Sequence, residues 1–279
     1  MSSLILVATP IGNMGDLSDR ARSALANADL VCCEDTRRTG LMLHNLGIDA
    51  TLMRVDEHAE HDAIPRVLDA LRDGRTVCLV SDAGTPGISD PGSRLVVAAI
   101  SDGYPVSAIP GPAALIMALI ISGLPTERFV FEGFLERRGK ERQTQLEFLR
   151  RHPYTVVLYE APHRLLRTIE DLIANCGGDR RVAICRELTK IHEEVWRGTL
   201  SGAHEHFTES EPKGEFVIVL AGAPPAGPAS REVVDARIEQ LLGEGLRTKD
   251  IAKQVADEFE LIVKNVYSRV LELARDQSE

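Results

Sequence analysis

The chain has few of the features that mark secreted, metal-binding or membrane proteins. Its 279 residues include five cysteines, an odd number, and no C-x-x-C pair, so neither a zinc site nor a disulfide framework is indicated. The longest apolar run, AALIMALII at 113–121, is well short of the roughly 20 residues that span a membrane. The N-terminus has neither the basic nor the apolar region of a signal peptide. These absences predict a soluble cytoplasmic protein with reduced thiols, no bound metal and no membrane partner.

The glycine motifs of common nucleotide-binding proteins are also missing. Neither G-x-G-x-x-G nor G-x-x-x-x-G-K-[ST] occurs in the sequence. This absence disfavours a conventional dinucleotide site and a triphosphate site. It also weakens the hypothesis that the protein is a nucleotide hydrolase.

The chain contains fewer basic residues than acidic ones. The chain has 32 Lys and Arg residues against 42 Asp and Glu residues, for a formal net charge of -10. A uniformly acidic surface would repel nucleic acid, so such a partner requires a local basic patch. The segment ERRGKER is the clearest candidate, and a solvated surface is the alternative interpretation. Its basic residues are Arg137, Arg138, Lys140 and Arg142.

Apolar, strand-like runs alternate with helical periodicity through the first 220 residues or so. The alternation predicts an α/β fold with sheets covered by helices, and the second half is expected to contain more antiparallel pairing. The predicted limits are 1–111 for an N-terminal α/β domain, 112–222 for a C-terminal α/β domain and 223–229 for the linker APPAGPA. Pro112 is interpreted as a first-turn proline that opens the helix AALIMALII.

Residues 230–279 are predicted to form short amphipathic helices, with Thr248 as an N-cap. The last two helices resemble a helix-turn-helix, and a helical lid or a dimer arm is an equal alternative. Four apolar side chains are expected to face inward: Ile251, Val255, Val266 and Val270.

Three loops rich in glycine and proline follow predicted strands, at residues 9–13, 81–87 and 109–112. In open α/β sheets, ligands bind outside the carboxyl ends of the strands. Glycine lets main-chain groups approach a ligand closely, and carbonyl or carboxylate oxygens can favour a positive charge. One such loop is explained by a tight turn, but three in one half of the chain predict a ligand cleft.

The sequence contains seven motifs that together resemble the tetrapyrrole-methylase superfamily over essentially the whole chain. They are TPIGNMGDLSDRA, CCEDTRRTG, LVSDAGTPGISDPG, IPGPAA, FEGFL, YEAPHR and CRELTK. Within the superfamily, they match the branch that uses S-adenosylmethionine to methylate the 2′-hydroxyl of a cytidine in the decoding centre of 16S ribosomal RNA. The partner implied is therefore 16S ribosomal RNA in the small ribosomal subunit.

The resemblance also implies two α/β domains of the tetrapyrrole-methylase type, with the cofactor in the cleft between them. A small C-terminal helical extension and a homodimer are implied as well. Cofactor-binding positions are carried over from the three loops and from the second domain. They are Pro10, Asp82, Ala83, Gly84, Thr85, Pro86, Ile88, Ala113, Ala114, Tyr159, Leu188 and Ala221.

A ribose hydroxyl is a weak nucleophile, so a base or a hydrogen-bond acceptor should assist its alignment with the methyl group and sulfur. The candidate catalytic residues are Asp35, Glu34, His58, Glu187 and Lys190. Asp35 has an alternative role as a helix cap, and Glu187 with Lys190 as a surface ion pair.

His58 lies in DEHAEHD, where His61 raises the alternative of a metal pair and the acidic neighbours indicate a solvated loop. Asp90 is interpreted as a turn residue.

Arg37 and Arg38 follow Asp35 directly and are suited to phosphate contacts, with a solvated helix end as the alternative. A methyltransferase acting on a tetrapyrrole precursor is the first alternative function, disfavoured because a corrin precursor offers no long phosphate backbone. A non-catalytic RNA-binding module is the second alternative. It is disfavoured because a pure RNA-binding protein has no need of the SDAGTP loop.

Overall fold

The computed structural model describes residues 2–56, 59–209, 211–224, 231–259 and 261–276. The chain divides into two compact units, Met1–Gly222 and Ala223–Glu279. The first unit contains the α/β elements and the second is helical. Within the described residues, no helix combines the length and the apolar character needed to cross a membrane.

The first sheet consists of parallel strands in the order β3-β2-β4-β1-β5. They are β1 (Ser3–Val7), β2 (Leu30–Cys33), β3 (Leu52–Arg54), β4 (Thr76–Leu79) and β5 (Val106–Ile109). The helices that follow these strands in turn are α1 (Asp19–Ala26), α2 (Thr36–Asn45), α3 (Glu60–Arg72), α4 (Ser93–Ser101) and α5 (Ala114–Ile121).

Both faces of this sheet are buried, which is why strand β2 is apolar at every position. Successive side chains point to opposite faces. Leu30 and Cys32 therefore pack against α3 and α4, whereas Val31 and Cys33 pack against α1 and α2. Because helices cover both faces, the loops that follow the strands meet at the carboxyl ends of the sheet.

The second sheet has the order β6-β7-β10-β8-β9 and pairs antiparallel except for β6 with β7. Its strands are β6 (Phe129–Phe134), β7 (Thr155–Glu160), β8 (Arg181–Arg186), β9 (Glu194–Thr199) and β10 (Phe216–Leu220). Helices α6 (Lys140–Arg151), α7 (Leu165–Cys176) and α8 (Leu200–Thr208) cover one face, and α5 packs on the other. The predicted α/β fold and the antiparallel pairing in the second half are confirmed.

The second unit packs helices α9 (Arg231–Gly243), α10 (Thr248–Glu258) and α11 (Val263–Asp276) around its own apolar core. The side chains predicted to face inward are all buried: Ile251, Val255, Val266 and Val270. Residues 225–230, which include most of the predicted linker, lie outside the described residues. The division of the first unit at residue 111 stays a prediction.

Two predicted helix starts are wrong. Helix α5 begins at Ala114 with Ala113 as its extended N-cap, so Pro112 precedes the helix instead of opening it. Contacts with the neighbouring loops occupy this segment: the carbonyl of Pro112 accepts the Thr85 hydroxyl, and a Cβ on Gly111 would lie 2.9 Å from the Cβ of Ala8. In the second unit, the N-cap of α10 is Arg247, and Thr248 is the first helical residue.

Candidate active site

A polar cavity and an apolar cavity lie at the carboxyl ends of the first sheet, and the loop after β4 borders both. The polar cavity has a volume of about 740 Å³. Its lining residues are Glu34, Asp35, Thr36, Arg37, Arg38, Arg54, Asp56 and Asp82. The apolar cavity, of about 320 Å³, is lined by residues 83–85 and 88–90 of the same loop and by ends of β6, β7 and β10.

The three glycine-proline loops are hydrogen bonded to one another. Thr9 and Gly84 exchange backbone hydrogen bonds of 2.8 and 3.0 Å, and the Thr9 hydroxyl donates to the carbonyl of Ser81 at 3.2 Å. The Thr85 hydroxyl donates to the carbonyl of Pro112 at 3.1 Å. Gly84 has φ +80, a left-handed conformation that favours glycine, and a Cβ there would lie 3.3 Å from Ile11 Cγ2. These bonds hold the three loops together beside the apolar cavity, and Ile11, Gly84 and Thr85 line it.

Aromatic side chains of the second sheet form the opposite wall of the apolar cavity. Tyr159 meets Phe131 edge to face at 4.9 Å and Phe134 at 5.7 Å between ring centroids. Gly133, with φ +64, lies at a register shift between β6 and β7 that aligns Phe134 with Tyr159. Burial raises the pKa of the Tyr159 hydroxyl, and a hydrogen bond with the backbone of Leu115 opposes the shift.

Most of the predicted cofactor-binding residues line the apolar cavity. These are Ala83, Gly84, Thr85, Ile88, Ala113, Ala114 and Tyr159. Leu188 and Ala221 do not line it and belong to the apolar cluster that also includes Tyr159. Pro10 and Pro86 do not line it, and the carboxyl group of Asp82 lines the polar cavity instead.

Asp35 caps helix α2. Its Oδ1 accepts a hydrogen bond from the backbone N–H of Arg37 at 2.8 Å, and its Oδ2 accepts one from the Arg37 guanidinium at 2.7 Å. These bonds from Arg37 hold the pKa of the Asp35 carboxyl well below its usual range. A carboxylate with so low a pKa has little affinity for a proton, which favours the helix-cap interpretation over a role as base.

Glu34 lines the polar cavity beside Asp35. Burial raises the pKa of its carboxyl, the nearby Asp82, Asp90 and Asp56 raise it further, and Arg38 opposes the shift. His58, the remaining predicted side chain from this region, lies outside the described residues. In the described part of the chain, no group of metal-ligating side chains large enough to hold an ion comes together.

Glu187 and Lys190 form an ion pair of 2.8 Å, and Lys190 also contacts Glu215 at 3.0 Å. Burial alone would raise the pKa of Glu187, but the hydrogen bonds from Lys190 and from the Glu215 N–H lower it overall. Burial would likewise lower the pKa of Lys190, and the two carboxylates raise it overall. This geometry favours the ion-pair interpretation for both residues.

Asp90, which the sequence indicated only as a turn residue, lies on the wall of the apolar cavity. Burial raises the pKa of its carboxyl to about 6, against a hydrogen bond from Ser81 that lowers it, and Asp82 raises it further. Phe134 and Glu160 were missed in the same way. The available signal was a single carboxylate among small and apolar residues in ISDPG.

The predicted basic residues separate into exposed and buried groups. Arg137, Arg138 and Lys140 are exposed. Arg142 does not fit the prediction of an RNA-binding role, because its side chain is only 4% exposed. Its Nε donates to Asp171 Oδ2 at 2.8 Å and its Nη1 to the carbonyl of Glu136 at 2.7 Å. A charged side chain is buried only when it is paired, so Arg142 is a structural residue of the second sheet's helical layer.

Comparison with known proteins identifies the family. The model of the Tetrapyrrole (Corrin/Porphyrin) Methylases matches residues 3–203. The chain belongs to this family. A Synechocystis protein named ribosomal RNA small subunit methyltransferase I is 46% identical over 278 residues, which cover 99% of this chain and 100% of that protein. The chain therefore falls among the ribosomal RNA small subunit methyltransferase I members of the tetrapyrrole methylases.

Solved structures of tetrapyrrole methylases share the fold. The methyltransferase CobJ has a TM-score of 0.61 at 20% identity, with 82% of this chain and 98% of that chain covered. Uroporphyrin-III C-methyltransferase from Thermus thermophilus, complexed with S-adenyl homocysteine, has a TM-score of 0.55 at 18% identity, with 79% and 97% covered. At these identities the likeness shows the fold alone, and it agrees with the predicted fold class.

Proposed function

We propose that this methylase transfers a methyl group from S-adenosylmethionine to the 2′-hydroxyl of a cytidine ribose in the decoding centre of 16S ribosomal RNA. The observation that carries the proposal is the pair of adjoining cavities, one apolar and one lined by arginines, which share the loop after β4. The name of the Synechocystis relative supports ribosomal RNA of the small subunit as the substrate.

The residues of the apolar cavity fit S-adenosylmethionine. Its small and apolar side chains and the left-handed Gly84 leave room beside the main chain. When bound, the cofactor supplies an electrophilic methyl group on a positively charged sulfur. Residues 83–85, Ala113, Ala114 and Tyr159 would hold it there.

The residues of the polar cavity fit an RNA backbone. Arg37 and Arg38 are highly exposed, and Arg54 lines the same cavity in an ion pair with Asp56. Guanidinium groups recognise phosphate through paired N–H donors. The exposed Arg137, Arg138 and Lys140 would extend this contact, as separate positive charges on an acidic protein. Their role is to position the ribose, because phosphate contacts fix register and orientation.

The function is tested by a transfer assay with labelled S-adenosylmethionine and small ribosomal subunits from a strain lacking the enzyme. Nuclease digestion and mass spectrometry then locate the label, with naked 16S RNA and large subunits as comparison substrates. A single 2′-O-methylcytidine in the decoding region is expected. Label on a base, on large subunits alone or on no RNA at all would contradict the proposal, and the last result would favour a tetrapyrrole substrate.

A homodimer that acts on the assembled small subunit in the cytoplasm completes the proposal. Helix α5 supports the dimer, because Ile116, Met117 and Ile120 are exposed along it. Ile120→Lys is expected to convert the dimer to monomer in light-scattering measurements. Ile100→Lys on α4 is the matched control, since both isoleucines are 59% exposed. A wild-type monomer, or equal dissociation of both variants, would contradict this interface.

A further inference from the structure

Asp90 occupies the part of the loop after β4 that lines the apolar cavity. Ile88, Ser89 and Asp90 form this part of the wall, and Tyr159 and Glu160 line the same cavity from β7. The carboxyl of Asp90 also interacts electrostatically with Glu34, which lines the polar cavity. Asp90 is thus near the boundary between the proposed cofactor site and the proposed RNA site.

The groups around Asp90 disfavour its charge. Asp82 in the same loop raises the pKa of Asp90, and Asp90 in turn raises the pKa of Glu34 at the end of β2 and of Tyr159 in β7. Arg38 lowers the pKa of Glu34 and contacts Asp82 at 3.3 Å. Burial and Asp82 together outweigh the hydrogen bond from Ser81, so the pKa of Asp90 is about 6. A carboxyl with a pKa near the working pH is suited to exchange a proton.

Three other carboxylates near the cavities are engaged in hydrogen bonds or ion pairs. Asp35 accepts hydrogen bonds from Arg37, and Glu187 is paired with Lys190. Glu160 is 2% exposed and accepts a hydrogen bond from the Thr168 hydroxyl at 2.6 Å and one from the Ala161 N–H at 2.8 Å. Donors that stabilise the charged form of a carboxylate oppose its uptake of a proton.

The backbone on both sides of Asp90 is held in place. Ser89 has φ +58, and its hydroxyl lies close to the backbone of Gly133 in β6. A Cβ on Gly133 would lie only 3.2 Å from the Ser89 hydroxyl oxygen. On the other side, Glu60 Oε1 accepts the N–H groups of Gly92, Arg94 and Leu95 at 3.1 Å each. Glu60 is itself buried, so α3 fixes the start of α4. This support keeps Asp90 at a defined place on the cavity wall.

We propose that Asp90 is the catalytic residue that accepts the proton of the ribose 2′-hydroxyl during methyl transfer. The inference rests on the proposed function. The 2′-oxygen forms a bond to the methyl carbon of the S-adenosylmethionine-class donor, and the carbon–sulfur bond breaks with its electron pair left on sulfur. The hydroxyl proton passes to a carboxylate oxygen of Asp90 and then to solvent.

Single-turnover methyl transfer to small ribosomal subunits between pH 5 and 9 tests the assignment. For the wild type, the rate is expected to rise with pH and to level off above the pKa of Asp90. Asp90→Asn should lower the plateau by about 10²–10⁴-fold, the range for general-base catalysis, and should remove the pH dependence. Asp90→Glu should restore part of the rate together with the pH dependence. Asp102→Asn, at the exposed far end of α4, is the control and should match the wild type.

Two further measurements do not depend on turnover. Calorimetry should give the same affinity for S-adenosylhomocysteine in the wild type and in Asp90→Asn, which separates proton acceptance from cofactor binding. Carbon NMR of labelled aspartate carboxyls should show one resonance with a midpoint near 6 that Asp90→Asn lacks.

The possible failures are distinguishable. Wild-type transfer to an atom other than a ribose 2′-oxygen, or no transfer at all, overturns the proposed function and this assignment with it. Specific 2′-O transfer by the wild type, with an unchanged rate and pH profile in Asp90→Asn, overturns only the role of Asp90. Loss of S-adenosylhomocysteine affinity in Asp90→Asn also overturns that role, because it makes Asp90 a cofactor-binding residue.

Discussion

The carboxylate of Asp82 accepts a hydrogen bond from the backbone N–H of Asp35 at 3.1 Å. Its second oxygen accepts one from the Arg38 guanidinium at 3.3 Å. These bonds join the ends of neighbouring strands β4 and β2 across 47 residues of sequence. The SDAGTP loop of the apolar cavity and the EDTR segment of the polar cavity are therefore positioned by one side chain.

Replacing Asp82 tests this connection. Asp82→Ala leaves the Asp35 N–H without its acceptor and should lower the free energy of unfolding by about 1 kcal/mol. Asp82→Asn keeps an acceptor oxygen and should be less destabilising. Both changes remove a negative charge that raises the pKa of Asp90, so that pKa should fall below 6. Urea unfolding measures the stability and carbon NMR the pKa; an unchanged Asp90 midpoint would contradict the electrostatic connection.

Reversing the charge at Arg137, Arg138 and Lys140 should weaken RNA binding and leave cofactor binding intact. These side chains are exposed in an otherwise acidic protein, and each phosphate contact contributes through counterion release. Filter binding at several salt concentrations should show lower affinity and a shallower salt dependence. Charge reversal at the exposed Arg72 and Arg75, near the amino ends of the strands, is the control and should have a smaller effect per charge. Equal effects would indicate only a general response to net charge.

Arg142 is expected to behave differently from its neighbours in ERRGKER. Arg142→Met removes one partner of a largely buried ion pair and should lower the free energy of unfolding by about 3 kcal/mol. RNA affinity of the folded variant should stay at the wild-type value, because the guanidinium is directed into the protein. Chemical denaturation and RNA binding below the unfolding transition check both statements. A stable variant with weakened RNA binding would contradict this prediction and indicate that Arg142 contacts RNA.

Asp90 should make stability depend on pH. Its pKa is raised in the folded state. The contribution of Asp90 to the free energy of unfolding is therefore fully present below 3.8, the ordinary pKa of an aspartate, and is lost as the pH rises through about 6. At pH 7, Asp90→Asn should be more stable than the wild type by on the order of 1 kcal/mol, after allowance for solvent screening of this half-buried group. Unfolding curves between pH 4 and 8 measure the difference, which should shrink toward pH 4. A difference independent of pH would show that Asp90 has an ordinary pKa.

The elements of the fold were predictable because their signals are local. Strand β2 is apolar at every position, and the buried side chains of α10 and α11 follow helical spacing. Ser18, a residue type typical of N-caps, precedes α1, and its hydroxyl accepts the N–H of Ala21 at 3.1 Å. Pro112 was misplaced because its segment contacts residues distant in sequence, Thr85 through the Pro112 carbonyl and Ala8 through the close approach of Gly111.

The features of the candidate site likewise separate into those that depend on local sequence and those that depend on contacts between distant residues. The sequence by itself determined the family, the alternating strands and helices and the three glycine-proline loops that follow the strands, because these depend on motifs and short-range patterns. Only the tertiary structure decided how individual charges are used. Arg142 is buried by Asp171, Asp35 is engaged by Arg37, and Asp90 lies on an apolar wall. Burial and charge pairing depend on residues distant in sequence, so identical side-chain chemistry becomes a structural ion pair in one place and a proton acceptor in another.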